Sequence, residues 1–182
     1  MKKLLSLTLA FALCFSLAAC APKESSSQVE EVSVILPAYI VNTSGSPEED
    51  YLAFLEADDR VISAYFNDDG TVTLIMTKVA YTEMMQEMMT SLEEDLANYV
   101  TNESSSFSEI THDTDITEFN FFVDRTQYEN GYDHFYVTSV GVFSTYFHIY
   151  FGKPEFSITL NVIDEATGEI FETLIYPDDL FS

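Results

Sequence analysis

Short hydrophobic runs alternate with clusters of turn residues along much of the chain, a pattern that predicts β-strands. Residues 33–41 (SVILPAYIV) predict an edge strand, because Pro37 has no N–H group to donate to a neighbouring strand. The other runs come in pairs around short turns, which is typical of hairpins. The three predicted hairpins join residues 61–66 to 71–76, 107–112 to 116–123, and 156–163 to 169–176.

Two further segments have apolar residues three and four positions apart, which is the spacing of one helix face. The first covers residues 47–57 and begins with Pro47 after Ser46, a combination typical of a helix N-terminus. The second runs from Thr77, a residue that can cap the first turn, to about residue 100. Its apolar face is rich in methionine, and we interpret that face as part of the core rather than as an adaptable binding surface.

The segment 126–151 is rich in phenylalanine and tyrosine and fits both the strand period of two and the helical period. A capping box from Thr126 to Glu129 and a stop signal at Gly152 favour a helix. We therefore predict one helix of about 25 residues, with Phe143 and Phe147 in its central stripe. A membrane span is the alternative, which the tyrosines, serines, threonines and two histidines of the segment disfavour.

Together these elements predict the α+β class. We expect one antiparallel sheet of about seven strands in hairpins, with three helices, of which the long aromatic-rich helix packs on the sheet. A chain of this length is typical of one domain after a leader segment.

The first 19 residues have the pattern of a secretory signal. Lys2 and Lys3 precede an apolar stretch that is shorter than the roughly 20 residues of a membrane-spanning helix. The stretch closes with Leu-Ala-Ala before Cys20, which resembles the lipobox of bacterial lipoproteins. We predict that a signal peptidase removes residues 1–19 and that Cys20 carries a diacylglyceryl lipid. The alternative is an ordinary secretory signal cut beside an incidental cysteine.

Lipidation of Cys20 would anchor the chain to the outer face of the bacterial cytoplasmic membrane. Residues 20–31 are rich in serine and glutamate and predict a flexible tether of at most about 40 Å, before a single domain over residues 32–182. The only other cysteine, Cys14, lies in the predicted signal. The predicted domain therefore has no thiol for a disulfide, a nucleophile or a metal site.

Charge excludes one class of partner. The chain has 31 acidic and seven basic residues, and Lys2 and Lys3 belong to the predicted signal. The remaining basic residues are too few and too scattered to form the patch that nucleic acid requires. An anionic membrane surface is disfavoured as a direct partner for the same reason. Since 47% of the residues are hydrophobic, the acidic chain can still bury a sizeable core.

Three stretches, NDDGTVTLIMTK, ITEFNFFVDRTQYEN and NVIDEATGEIFET, resemble a group of lipoproteins from Gram-positive, clostridia-like bacteria. The resemblance covers nearly all of the chain beyond Cys20. It implies a surface-anchored domain with the order of strands and helices given above, including the aromatic-rich helix. It implies no activity and no catalytic residue.

The histidines are the most direct candidates for site chemistry. His134 and His148 lie 14 positions apart, about 21 Å along one helix, which is too far for a shared metal. His112 beside Asp113 and Asp115 could form a small cation site. An ordinary solvated turn explains the same residues, and we favour that interpretation. We predict no metal site and no cofactor.

Two classes of function remain. The first, which we prefer, is a non-enzymatic surface module that binds a protein or an envelope component through a sheet edge or an exposed aromatic patch. The alternative is a small-ligand-binding lipoprotein with an aromatic pocket between the long helix and the sheet. The chain has no recognisable catalytic motif, and with 31 acidic residues a pair of carboxylates is not informative, so an unrecognised hydrolase comes third.

Overall fold

The computed structural model describes residues 29–43, 45–153 and 155–181. The predicted signal and Cys20 lie outside the described residues, as does most of the predicted tether. The helices and strands, in chain order, are β1 (Glu31–Leu36), α1 (Ala38–Thr43), α2 (Glu48–Glu56), β2 (Val61–Phe66), β3 (Val72–Thr77), α3 (Lys78–Thr101), β4 (Phe107–His112), β5 (Glu118–Val123), α4 (Arg125–Asn130), α5 (His134–Tyr150), β6 (Ile158–Asp164) and β7 (Ile170–Tyr176), before a short 3₁₀ turn (Asp178–Phe181).

The α+β class is confirmed, but the prediction of one sheet is wrong. The seven strands form a three-stranded sheet of order β1-β3-β2 and a four-stranded sheet of order β4-β5-β6-β7. All three predicted hairpins form, as the antiparallel pairs β2–β3, β4–β5 and β6–β7. The strands β5 and β6 are parallel instead, because α4 and α5 return the chain to the end of the sheet where β5 began.

The first predicted strand is shorter than expected. It ends at Leu36, and residues 38–43 form α1, with the N–H groups of Ile40 and Val41 bonded to the Pro37 carbonyl. The fixed φ of proline suits the start of a helix, which explains why the apolar run changes from strand to helix at Pro37.

The predicted long helix is two helices, α4 and α5. Together with α1 this gives five α-helices among the described residues rather than the predicted three. The break falls at Gly131, whose extended backbone ends α4. Buried Asp133 then accepts a hydrogen bond of 2.6 Å from the Ser106 N–H group, which ties the start of α5 to the loop before β4.

The predicted capping box is also wrong, because Asp124 rather than Thr126 caps α4 by accepting from the Gln127 N–H group. The predicted Thr77 cap of α3 is confirmed.

The helix α5 explains why there are two sheets. It is apolar almost all round and contributes Val137, Val140 and Phe147 to the core of the four-stranded sheet. Near its end, Ile149 belongs to the core of the three-stranded sheet. A helix with two buried faces needs a partner on each side, and one sheet could cover only one of them.

No helix among the described residues is long and apolar enough to cross a membrane.

Candidate functional site

An apolar pocket of about 360 Å³ lies between β1, the end of α5 and the loop that leads to β6. Val34 and Leu36 of β1 point into the core, so that Ser33 and Ile35 face the opposite side, where the side chain of Ile35 is 57% exposed. The other lining residues come from the segment after β1, the position just before β3, the end of α5 and the turn that follows it. Most of them are apolar, with one lysine and one threonine among them: Pro37, Tyr39, Thr71, Ile149, Gly152, Lys153 and Phe156.

The turn after α5 brings Lys153 and Phe156 to the pocket. Gly152 adopts a φ of +75°, a left-handed conformation that favours glycine, and its N–H group bonds the Ile149 carbonyl at 3.0 Å. The N–H group of Lys153 bonds the His148 carbonyl at 3.1 Å. Backbone bonds therefore hold the turn, while the Lys153 side chain remains available for other contacts.

His148 lies directly behind the pocket wall. Its ring is fully buried and stacks on Phe156, with the centroids 5.1 Å apart. The Nε2–H group donates to the Ile116 carbonyl at 3.0 Å, and Nδ1 has no hydrogen-bond partner among the described residues. Burial lowers the pKa of His148, so the ring is neutral at pH 7. Ile116 itself has a φ of 58°, which is rare for a β-branched residue, and its side chain is also buried.

A second concave surface lies between α3 and the edge strand β4. This groove of about 540 Å³ is open, and the residues Leu96, Val100 and Ile110 supply apolar surface. Glu93 of α3 and His112 of β4 meet across the groove, with Glu93 Oε1 3.1 Å from His112 Nε2. Since β4 is at the end of the sheet, an extended peptide could pair with it there.

A polar cluster lies where α4, the start of α5 and β7 meet. The buried Tyr128 hydroxyl donates to Glu172 Oε2 at 2.9 Å, and the other Glu172 oxygen lies 3.2 Å from His134 Nδ1. Burial, followed by the hydrogen bond to Glu172, raises the pKa of the Tyr128 phenol, which therefore stays protonated. A protonated phenol and a carboxylate that is already paired offer little reactivity, and the cluster is best explained as a link between α4 and β7.

The histidines predicted as site candidates are not brought together. The carboxylate of Asp113 accepts bonds from the N–H groups of Thr117 and Glu118, as an ordinary turn residue does, while His112 contacts α3. His134 and His148 lie near opposite ends of α5. The described residues include no group of three or more His, Cys, Asp or Glu that could hold a metal ion.

The pocket residues Ile35, Lys153 and Phe156 are not among the site residues predicted from the sequence. Two signals could have indicated them. Ser33 and Ile35 alternate with the more apolar side of β1, and Lys153 is the only basic residue after Arg125. Neither signal brings the two segments together, because Ile35 and Lys153 are 118 positions apart in the sequence and only the packing of α5 closes that distance.

The geometry thus defines an α+β domain of two sheets around a shared apolar helix, with a pocket at one of their junctions. No family model, no curated protein and no solved structure matches the chain.

Proposed function

We propose that the protein is a lipid-anchored, extracytoplasmic binding protein whose pocket takes a small apolar ligand. The observation that carries the proposal is the lining of the pocket, where Ile35, Pro37, Tyr39, Ile149 and Phe156 surround a concave volume of about 360 Å³. This volume lies within the usual range of small-molecule sites, which are mostly apolar with a few polar groups. The proposal favours the ligand-binding alternative over a surface module, because the pocket is concave and combines aromatic with aliphatic walls.

Anchoring depends on the sequence before the described residues. The Leu-Ala-Ala-Cys boundary supports lipidation of Cys20, and nine residue steps from Cys20 to Val29 span at most roughly 32 Å. The pocket would then remain close to the membrane surface, where apolar compounds concentrate. Metabolic labelling with a fatty-acid probe tests the anchor, because Cys20→Ala should abolish labelling and release the chain from the membrane fraction. Equal labelling of the two proteins would contradict it.

Photolabelling tests the pocket. The full chain in membranes is irradiated with 4-methylbenzophenone, an uncharged aromatic probe, and the labelled peptides are mapped by mass spectrometry. We expect saturable labelling of peptides that contain residues 33–39 and 149–156. Ile35→Asp, which places a charge in the apolar lining, should reduce the labelling severalfold.

The matched control is Ile62→Asp. Ile62 is 51% exposed on β2, the other edge strand of the same sheet, and it does not line the pocket. It should leave labelling unchanged. Labelling that does not saturate, or that both variants reduce equally, would reject the pocket as the binding site.

The open groove between α3 and β4 supports a second function, the binding of an extended segment of a protein or envelope partner. Its acidic rim, which includes Glu93 and Glu109, would favour a basic segment. The test is a pull-down of envelope proteins by the full chain, compared with an Ile110→Asp variant. A partner that the two proteins retain equally would exclude the groove.

A further inference from the structure

We infer that the pocket is selective for apolar compounds that carry a carboxylate, which Lys153 binds at the pocket wall. The inference rests on the proposed function, because it names the chemical class of ligand for the same pocket. It starts from the contrast between the pocket and the rest of the protein. The chain has 31 acidic residues against seven basic ones, yet none of the nine described lining residues is acidic and one is a lysine.

Lys153 differs from the other basic residues that the structure describes. Arg60 pairs with Asp58 and Glu87, Lys78 pairs with Glu30, and Arg125 pairs with Glu129 and Glu169. Within the described ranges, Lys153 forms no ion pair with a carboxylate; its Nζ lies 5.5 Å from the centroid of the Phe151 ring. That distance is near the limit of a cation–π contact, which leaves the three donors of the ammonium group for another acceptor.

The surroundings of Lys153 strengthen the attraction for an anion. The side chain is only partly exposed, and Ile35, Ile149 and Phe156 form the neighbouring walls. A charge-assisted hydrogen bond beside apolar walls is stronger than one in open water. The acidic surface of the protein repels anions in general. A ligand with a carboxylate overcomes this repulsion by gaining both the ion pair with Lys153 and the burial of its apolar part. A free inorganic anion gains the ion pair alone.

The size of the pocket limits the apolar part. A volume of about 360 Å³ is at the lower end of the range for small-molecule sites, which fits one or two rings or a short aliphatic chain. The structure therefore points to a small aromatic or aliphatic carboxylic acid.

A pair of matched photoprobes tests this. The full chain in membranes is labelled with 4-benzoylbenzoate or with the uncharged 4-benzoylbenzamide, which differ only in the charged group. We expect the benzoate to label the pocket peptides at about tenfold lower concentration than the amide, as a charge-assisted hydrogen bond predicts. Lys153→Met should remove that difference, and Lys153→Arg should retain most of it.

The control for net charge is Lys78→Met. It removes one positive charge outside the pocket lining, together with the exposed ion pair between Lys78 and Glu30. It should not change the preference for the benzoate. Because the backbone N–H of Lys153 holds the turn, the Met and Arg variants should both fold, which resistance to a protease checks.

The outcomes separate the two claims. If the two probes label the wild-type pocket at equal concentration, or if Lys153→Met keeps the preference for the benzoate, the carboxylate selectivity is wrong while the pocket remains a binding site. If neither probe gives saturable labelling of the pocket peptides, the proposed function is wrong and the inference falls with it.

Discussion

The two sheets of this protein each bury one face, but they bury different kinds of side chain. The inner face of the four-stranded sheet carries two fully buried aromatic residues, Phe119 and Phe121, and it packs against α3 and α5. The inner face of the three-stranded sheet carries smaller aliphatic residues such as Val34, Val72 and Leu74. The four-stranded sheet therefore buries more apolar surface per strand and should supply more of the stability.

The outer faces differ as well. One cross-strand row of the four-stranded sheet aligns Thr111, Asn120, Asn161 and Thr173, and Asn161 bonds both Asn120 and Thr173 at 3.1 Å. The corresponding row of the three-stranded sheet joins exposed Ile35 and Tyr65 across Thr73. The polar side chains of the first row can form hydrogen bonds with water, whereas exposed apolar residues beside a pocket are typical of a binding surface. We therefore expect the four-stranded sheet to supply more of the stability, and the exposed apolar row of the three-stranded sheet supports the proposed binding site.

The largest expected effect tests this division directly. Phe121→Ala should lower the free energy of unfolding by about 3–5 kcal/mol, because the ring is fully buried among other aromatic residues. Leu74→Ala at the centre of the three-stranded sheet should cost less, about 2–3 kcal/mol, because the side chain is smaller. Urea unfolding of the two variants measures both values, and a larger cost at Leu74 would reverse the comparison.

The next effect concerns how α5 contributes to the core of the four-stranded sheet. Phe147 is 8% exposed, whereas Phe143, predicted to share its stripe, is only partly buried at the side of that core. Phe147→Ala should cost about 3 kcal/mol, and Phe143→Ala should cost about half as much, since a partly exposed ring loses less on truncation. Thermal melting of the two variants checks the order. Equal losses would mean that both rings are core residues, as a single straight stripe predicts.

A close approach of α5 to the four-stranded sheet gives a smaller effect. A Cβ atom at Gly141 would lie 2.5 Å from a ring carbon of buried Tyr176. Gly141→Ala should therefore cost about 1–2 kcal/mol, the overpacking strain less the helix propensity that alanine gains. Adding Tyr176→Leu removes the ring, so the double variant should be more stable than the sum of the two single changes predicts. Strict additivity in urea unfolding would show that Gly141 is not required for this contact.

The smallest effect depends on pH and concerns His148, which lies on α5 near the junction of the two sheets. Burial lowers the pKa of His148 in the folded chain, whereas an unfolded histidine titrates near pH 6.5. As the pH falls below about 6.5, the unfolded chain binds the proton first, so the folded state loses stability. The His148→Phe variant, compared with wild type in urea unfolding between pH 7.5 and 5.5, should lack this loss of stability.

The control for this pH dependence is His134→Phe, since His134 is exposed at the other end of α5. It should keep the pH dependence of the wild type, because His148 is unchanged in this variant. Identical slopes for wild type and His148→Phe would show that another group causes the loss.

Local patterns in the sequence determined the hairpins, the Thr77 cap of α3 and the stop at Gly152 just after α5. Each of these depends on residues that are close together in the chain, so turn chemistry and periodicity are sufficient to predict them. The acidic composition and the Leu-Ala-Ala-Cys boundary are sequence properties in the same sense, and the prediction that Cys20 anchors the chain rests on them.

Only the tertiary structure decided how the hairpins group into sheets and where the pocket lies. Apolar periodicity shows that a side chain is buried but not against what, so α5 could not be assigned two partner sheets from its sequence. The bond from Ser106 to Asp133, which are 27 positions apart, fixes the start of α5 after the break at Gly131 and could not be predicted from local patterns. The pocket likewise depends on packing that places Lys153 beside β1, a contact between distant segments that no local pattern encodes.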